Sequence, residues 1–84
     1  MRSKKLLSRV VRGDLANARF TDVARLLEAL GFQLVRISGS HHIWSHPEIP
    51  EALNLQDVHG EVKPYQLRQF LRLAKRYNLR LEDD

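Results

Sequence analysis

The chain has 84 residues, which suffices for one small domain and excludes a multidomain enzyme. Its 43% hydrophobic and 29% charged residues, with few Gly and Pro, are typical of a folded globular protein rather than a disordered one. Cysteine is absent, which excludes disulfides and thiolate zinc sites, and no apolar run approaches the roughly 20 residues that span a bilayer. We therefore expect a cytoplasmic protein with no membrane partner.

The net charge of +4 is unevenly distributed along the chain. Residues 1–13 and residues 63–80 contain no acid, and their basic residues are Arg2, Lys4, Lys5, Arg9 and Arg12, then Lys63, Arg68, Arg72, Lys75, Arg76 and Arg80. Two basic segments of this kind suit a polyanionic partner, because each neutralised phosphate releases a counterion. The alternative interpretation is that they are ordinary solvated helix faces.

Two amphipathic helices are predicted first. Apolar residues one turn apart predict a short helix over residues 3–11, ended by Gly13 and Asp14. A second helix is expected to begin with Thr21 as its cap and to end at Gly31, with Phe32 contacting Leu27 in a Schellman motif.

The middle of the chain predicts a three-stranded antiparallel meander. Residues 32–37, 42–46 and 51–57 are the strands, with a turn at Ser38 and Gly39 and a loop bounded by Pro47 and Pro50. A last helix is predicted from Pro64 to about Tyr77. The order of elements gives an α+β protein with two layers, in which helices cover one face of a small sheet.

The strongest chemical signal is the segment RISGSHHIWSHP, residues 36–47. Strand alternation places His41 and His42 on opposite faces of the sheet, so the two imidazoles are not expected to share a role. Imidazole exchanges protons near neutral pH, and together with basic side chains it can cleave an RNA phosphodiester by general acid or base catalysis without a metal. The competing interpretation of His41 is an ordinary histidine at the surface.

The sequence gives less support to other functions for these residues. His42 and His46 have zinc-like spacing, but i and i+4 on a strand lie roughly 13 Å apart and no cysteine joins them, so no metal or other cofactor is expected. Ser40 and His41 are adjacent and face opposite ways, which argues against a hydrolase triad. Trp44 could stack on a base, although a core position is the more common outcome in so small a domain.

The last predicted helix carries a basic stripe formed by Arg68, Arg72, Lys75 and Arg76. These residues recur on one side of the helix, so they could contact phosphates. Cations near a helix carboxyl end are also favoured by the helix dipole alone.

The segment GFQLVRISGSHHIWSHP, followed by a strand and then GEVKPYQLRQFLRLAKR, resembles the HicA toxins of prokaryotic toxin–antitoxin systems over about residues 20–77. The resemblance implies a fold similar to double-stranded-RNA-binding domains (dsRBD-like), here with an extra N-terminal helix. It divides the chain into a basic N-terminal helical extension (residues 1–19), a HicA-like domain (20–80) and an acidic tail (81–84).

The family implies an endoribonuclease that cuts messenger RNA with a single histidine and is silenced by a HicB antitoxin that covers that histidine. Carried over to this chain, the catalytic histidine is the one that follows Gly39 and Ser40, namely His41. The expected RNA contacts are Arg36, Ser40, His42, Lys63, Arg68, Arg72, Lys75 and Arg76.

Two rival functions need no catalysis. A dsRBD-like module that only binds RNA would need the basic stripe but not His41, and it would show steep salt dependence without strand scission. A DNA-binding protein that uses the last helix is disfavoured, because no helix-turn-helix turn precedes it.

Overall fold

The computed structural model describes residues 1–81. Along the chain its elements are helix α1 (Ser3–Val11), strand β1 (Ala18–Arg19), helix α2 (Phe20–Ala29), strands β2 (Gln33–Ser38), β3 (His41–His46), β4 (Ile49–Gln56) and β5 (Glu61–Val62), and helix α3 (Pro64–Arg76). Strands β2, β3 and β4 form an antiparallel sheet in that order, and β1 and β5 form a separate two-stranded ladder.

The first and last helices match their sequence predictions closely. Helix α1 covers the predicted residues, and α3 begins with Pro64, where the missing N–H is tolerated, and ends with Tyr77 as its C-cap.

Helix α2 ends as predicted but begins two residues earlier. Gly31 has a positive φ of 98°, and the backbone N–H of Phe32 donates to the Leu27 carbonyl at 2.9 Å, which is the bond that defines a Schellman motif. The prediction that Thr21 caps the helix is wrong, because Arg19 is the N-cap and Thr21 lies inside the first turn. Arg19 is extended at this position because it belongs to β1 and pairs with Glu61 of β5.

The sheet is the predicted meander, although β3 begins at His41, one residue earlier than expected, and the bounds of β4 also differ. Strand β4 begins at Ile49 and includes Pro50, so Pro50 does not bound the preceding loop as expected. It is tolerated because β4 is an outer strand of the sheet, where a proline need not donate to a ladder. The pairing of β2 with β3 shifts between Leu34 and Arg36, which makes a bulge at Val35.

One hydrophobic cluster joins the helices to one face of the sheet. Phe70, Leu26, Leu27 and Leu55 are fully buried within it. Helix α1 contributes Leu6 and Val10, which are 1% and 0% exposed, and Trp44 is buried in the same cluster, as the core interpretation predicted. The architecture is a two-layer α+β fold of the dsRBD-like kind with an additional N-terminal helix, which confirms the predicted fold class.

None of the helices within residues 1–81 has both the length and the apolar character needed to cross a membrane.

Candidate functional site

A two-residue turn, Gly39 and Ser40, joins β2 to β3 and places the adjacent histidines. Gly39 has a φ of 60°, a left-handed conformation that glycine adopts at little cost. The Ser40 carbonyl accepts the backbone N–H of Asp57 at 2.9 Å, and the Ser40 hydroxyl accepts the Gln56 side-chain amide at 3.1 Å. The turn is therefore fastened to the end of β4 by both backbone and side chain.

The last residues of β4 are in turn tied to the helical layer. Gln66, in the first turn of α3, is only 5% exposed, and its side-chain oxygen accepts the Gln56 backbone N–H at 2.7 Å. Since Gln56 pairs with His41, this bond fixes the corner of the sheet in which His41 lies.

His41 is exposed on the face of the sheet that the helices leave open. Its Nδ1 lies 3.2 Å from the side-chain oxygen of Asn54 on β4. A carboxamide oxygen only accepts, so Nδ1 is the donor in this contact, and in the neutral ring Nε2 is then the atom with the free lone pair. A neutral imidazole with a free Nε2 can take a proton from a bound molecule.

His42 lies on the opposite face, as alternation predicted. Its ring is half-buried against Phe20 of α2, with ring centroids 4.5 Å apart, and its Nδ1 donates to the Ser40 carbonyl at 3.1 Å. The structure therefore does not bring His42 to the face on which His41 lies.

His46 is buried and uses both ring nitrogens internally. Its Nε2 donates to the Leu30 carbonyl at 3.0 Å, and its Nδ1 accepts the Glu48 backbone N–H at 3.0 Å. Only the neutral ring can make both contacts, because a protonated imidazole has no acceptor. This histidine links the end of α2 to the loop between β3 and β4.

Arg36 is the predicted cation nearest to His41 in the sheet. It pairs with Ile43, which lies two residues from His41 on the same face, so Arg36 is one strand across and two residues along from the imidazole. Its side chain is exposed. Arg36 and His41 can therefore contact one ligand that lies across the open face of the sheet.

The predicted cations of the last helix lie in the helical layer. Arg68, Arg72, Lys75 and Arg76 are all exposed, and Lys63 immediately precedes α3. Arg76 contacts the Glu51 carboxylate at 3.7 Å near the start of β4. His41 pairs with Gln56, five residues further along that strand, or about 17 Å at 3.4 Å per residue. The C-terminal part of the stripe is therefore remote from His41, whereas Lys63 lies at the same end of the molecule as the imidazole.

A second polar contact joins α3 to β4 away from His41. The Tyr77 hydroxyl donates to the Glu51 carboxylate at 2.6 Å. This hydrogen bond, assisted by Arg76, lowers the pKa of Glu51 below its ordinary value, and the same bond raises the pKa of Tyr77. The contact fastens the C-terminal end of α3 to the sheet.

No group of three ligating side chains that could hold a metal ion occurs within the described part of the chain.

Asn54, Gln56 and Gln66 were not among the residues that the sequence singled out. Alternation in the third strand does put Asn54 opposite to the buried Leu53 and Leu55, on the open face. The sequence does not reveal the register between strands, which alone makes Asn54 a neighbour of His41.

The fold and this corner of the sheet define a small α+β protein of dsRBD-like architecture with one exposed histidine held at a strand start. Residues 20–75 match the family model described as the HicA toxin of bacterial toxin–antitoxin systems. The match covers more than half of the chain, and this protein belongs to the HicA toxin family. Its class therefore implies an antitoxin partner. No curated protein and no solved structure matched the sequence.

Proposed function

We propose that this protein is a metal-independent endoribonuclease that cleaves messenger RNA, with His41 as the general base. The observation that carries the proposal is the exposed His41 ring, whose Nδ1 is hydrogen-bonded by Asn54 and whose Nε2 has no hydrogen-bond partner among residues 1–81. Membership of the HicA toxin family supports the same activity.

In the proposed reaction, Nε2 of His41 takes the proton of a ribose 2′-hydroxyl. The 2′-oxygen then forms a bond to the adjacent phosphorus, the bond from phosphorus to the 5′-oxygen breaks, and the leaving oxygen takes a proton from solvent. The products are a 2′,3′-cyclic phosphate and a 5′-hydroxyl. General base catalysis of this kind contributes roughly 10²- to 10⁴-fold to a rate.

Arg36 is the residue that we assign to the scissile phosphate, because it lies on the same sheet face as His41. Extra negative charge develops on the phosphate in the transition state, and a guanidinium placed there stabilises it. Ser40 and Lys63, at the same end of the molecule, would bind the adjoining backbone. Flanking RNA would contact the basic stripe on the surface of α3, which consists of Arg68, Arg72, Lys75 and Arg76. His42 would contribute to RNA binding indirectly, because its bond to the Ser40 carbonyl stabilises the turn that carries Ser40.

We further propose that the antitoxin is a HicB-like protein that covers His41. The imidazole is open to solvent in this structure, so silencing requires a partner that blocks the open face of the sheet. Arg36 on that face, together with the net charge of +4, favours an acidic partner.

The experiment compares cleavage of a defined transcript by wild-type protein, His41→Ala and His59→Asn, all made by cell-free synthesis. His59 is an exposed histidine with a φ of 52°, a conformation that asparagine tolerates, so His59→Asn removes an imidazole without straining the backbone. We expect His41→Ala to lose at least about 100-fold in cleavage rate and His59→Asn to match wild type.

Equal cleavage by wild type and His41→Ala would overturn the assignment of the base. A transcript with a 2′-deoxy sugar at the scissile position should resist cleavage, and scission of that transcript would overturn the 2′-hydroxyl route. Salt-sensitive RNA binding without any scission by wild type would instead favour the noncatalytic RNA-binding module.

A further inference from the structure

Asn54 and His41 form a side-chain hydrogen bond across two strands of the sheet. The Asn54 oxygen lies 3.2 Å from His41 Nδ1, and Asn54 pairs with Ile43, so the bond runs diagonally from β4 to β3. Side chains on diagonal positions of one sheet face lie within reach of each other when they are long enough.

The backbone under Asn54 is firmly held. Its neighbours Leu53 and Leu55 are 2% and 0% exposed and pack in the core, so the strand cannot shift without breaking apolar contacts. The side chain of Asn54 therefore projects from a fixed point on the open face. This is the arrangement expected of a group that orients another side chain rather than of one that moves to meet a ligand.

The Asn54 side-chain oxygen is a hydrogen-bond acceptor for Nδ1 of His41. Because the oxygen requires Nδ1–H, the contact selects the tautomer in which Nε2 is unprotonated. It also restricts rotation of the ring about its bond to Cβ. A base with the wrong tautomer would present N–H to the substrate and could not accept a proton.

We propose that Asn54 is a positioning residue, which holds His41 in the Nδ1–H tautomer with Nε2 directed to the open face of the sheet. The catalytic meaning of this role rests on the proposed function, whereas the tautomer itself is a property of the free protein. An alternative role for the bond is simple cross-strand stabilisation, which would affect folding but not the ring nitrogens specifically.

The test uses full-length protein labelled with ¹⁵N-histidine by cell-free synthesis. Long-range ¹⁵N–¹H spectra distinguish the Nδ1–H and Nε2–H forms of a neutral imidazole, and the His41→Ala spectrum identifies the His41 signals. The variants are Asn54→Ala, which removes the acceptor, and Asn54→Asp, which retains it. Ser45→Ala is the matched control, since Ser45 is a polar residue at the other end of the same face of β3.

We expect Nδ1–H for His41 in wild type, Asn54→Asp and Ser45→Ala, and a shift toward Nε2–H in Asn54→Ala. Cleavage by Asn54→Ala should fall roughly 2- to 10-fold in kcat with little change in KM, as expected for the loss of one exposed hydrogen bond to the base. Asn54→Asp should restore kcat relative to Asn54→Ala.

An Nε2–H ring in wild type, or an unchanged tautomer in Asn54→Ala, would overturn the inference. A decrease in kcat for Asn54→Ala that Ser45→Ala shares would also overturn it, because the effect would then be structural. Undiminished cleavage by His41→Ala is a different result: it would overturn the catalytic assignment while the spectra still decided the positioning by Asn54.

Discussion

Three histidines of one strand have three different environments, and the environment of each follows from its position on the sheet. His41 begins β3 on the open face, His42 follows it on the helix-facing side, and His46 closes the strand in the core. His41 and His42 each have one ring nitrogen hydrogen-bonded to a neighbour, whereas His46 has both nitrogens hydrogen-bonded. The same residue type thus serves as a candidate base at one end of the strand and as a structural bridge at the other.

This difference predicts that His46→Ala damages the fold. The substitution leaves the Leu30 carbonyl and the Glu48 N–H without the ring, and it opens a space beside Phe32, whose ring centroid is 5.0 Å from that of His46. We expect a loss of roughly 1–3 kcal/mol in the free energy of unfolding, measured by urea denaturation. Ser45→Ala, one residue away, should change it by less than about 0.5 kcal/mol. Similar losses in both variants would contradict the bridging role.

Tyr77 and Glu51 predict a pH dependence of stability at the other end of the sheet. The pKa of Glu51 is lowered in the folded state by the Tyr77 hydroxyl, so its contribution is present above the ordinary pKa of 4.5 and is lost as the pH falls through the lower folded value. Tyr77→Phe removes the donor. Thermal melts should show a lower Tm for Tyr77→Phe at pH 7 and convergence with wild type in acid below the folded pKa. A Tm difference that persists unchanged in acid would exclude this linkage.

Two glycines that follow neighbouring elements, Gly31 after α2 and Gly39 after β2, allow the cost of adding a side chain to be compared in two different environments. Both have positive φ, 98° and 60° respectively. A Cβ at Gly39 would meet no atom within 4 Å, whereas one at Gly31 would lie 3.1 Å from Nε2 of the buried His46. His46 cannot retreat without losing its bond to Leu30.

We therefore expect Gly31→Ala to be the more damaging substitution. Gly39→Ala should cost about 1–2 kcal/mol, the ordinary cost of a left-handed residue with a side chain. Gly31→Ala adds a steric conflict typical of core overpacking, roughly a further 1–3 kcal/mol. Urea denaturation of both variants measures the difference, and equal losses would show that the His46 contact does not limit space at Gly31.

The elements that the sequence predicted well are those with a local signal. Helix α1, the Schellman ending at Gly31 and the proline start of α3 depend on residues close in sequence, and each was found where expected. The error at the start of α2 arose from a distant contact. The start of α2 is set by pairing of Arg19 with Glu61, and no pattern within either two-residue strand predicts that ladder.

The candidate site divides in the same way. Alternation correctly separated the faces of His41 and His42, because it needs only neighbouring residues. The contacts of Asn54 and Gln66 could not be predicted, because they depend on the register of β3 with β4 and on the packing of α3, which are properties of the whole fold.

The assignment of the RNA contacts stays a prediction, as does the division of the chain into residues 1–19, 20–80 and 81–84. Most of the last segment lies outside the described residues.

At the scale of the whole molecule, α1 and the domain that matches the family share one core. The family match begins at residue 20, yet Leu6 and Val10 of α1 are buried in the same hydrophobic cluster as residues of α2 and α3. The basic residues of α1 are mostly on its outer side, with Arg9 as the exception: its guanidinium donates to the Ala16 carbonyl at 2.6 Å. Helix α1 thus contributes apolar surface to the fold and positive charge to the exterior.

This arrangement predicts that the fold depends on α1 through Leu6. A domain of 84 residues has about 4–12 kcal/mol of stability in total, and truncation of a fully buried leucine to alanine typically costs roughly 2–5 kcal/mol. Leu6→Ala should therefore remove a large part of the stability of the entire molecule, including the corner that holds His41. Val11→Ala is the control on the same helix, because Val11 is 51% exposed and should change the unfolding free energy by less than about 0.5 kcal/mol. Urea denaturation followed by a probe in the sheet, the fluorescence of Trp44, measures both. If Leu6→Ala left the Trp44 transition unchanged, α1 would not be part of the cooperatively unfolding unit. A role for α1 would then have to come from its exposed basic residues rather than from stabilisation of the fold.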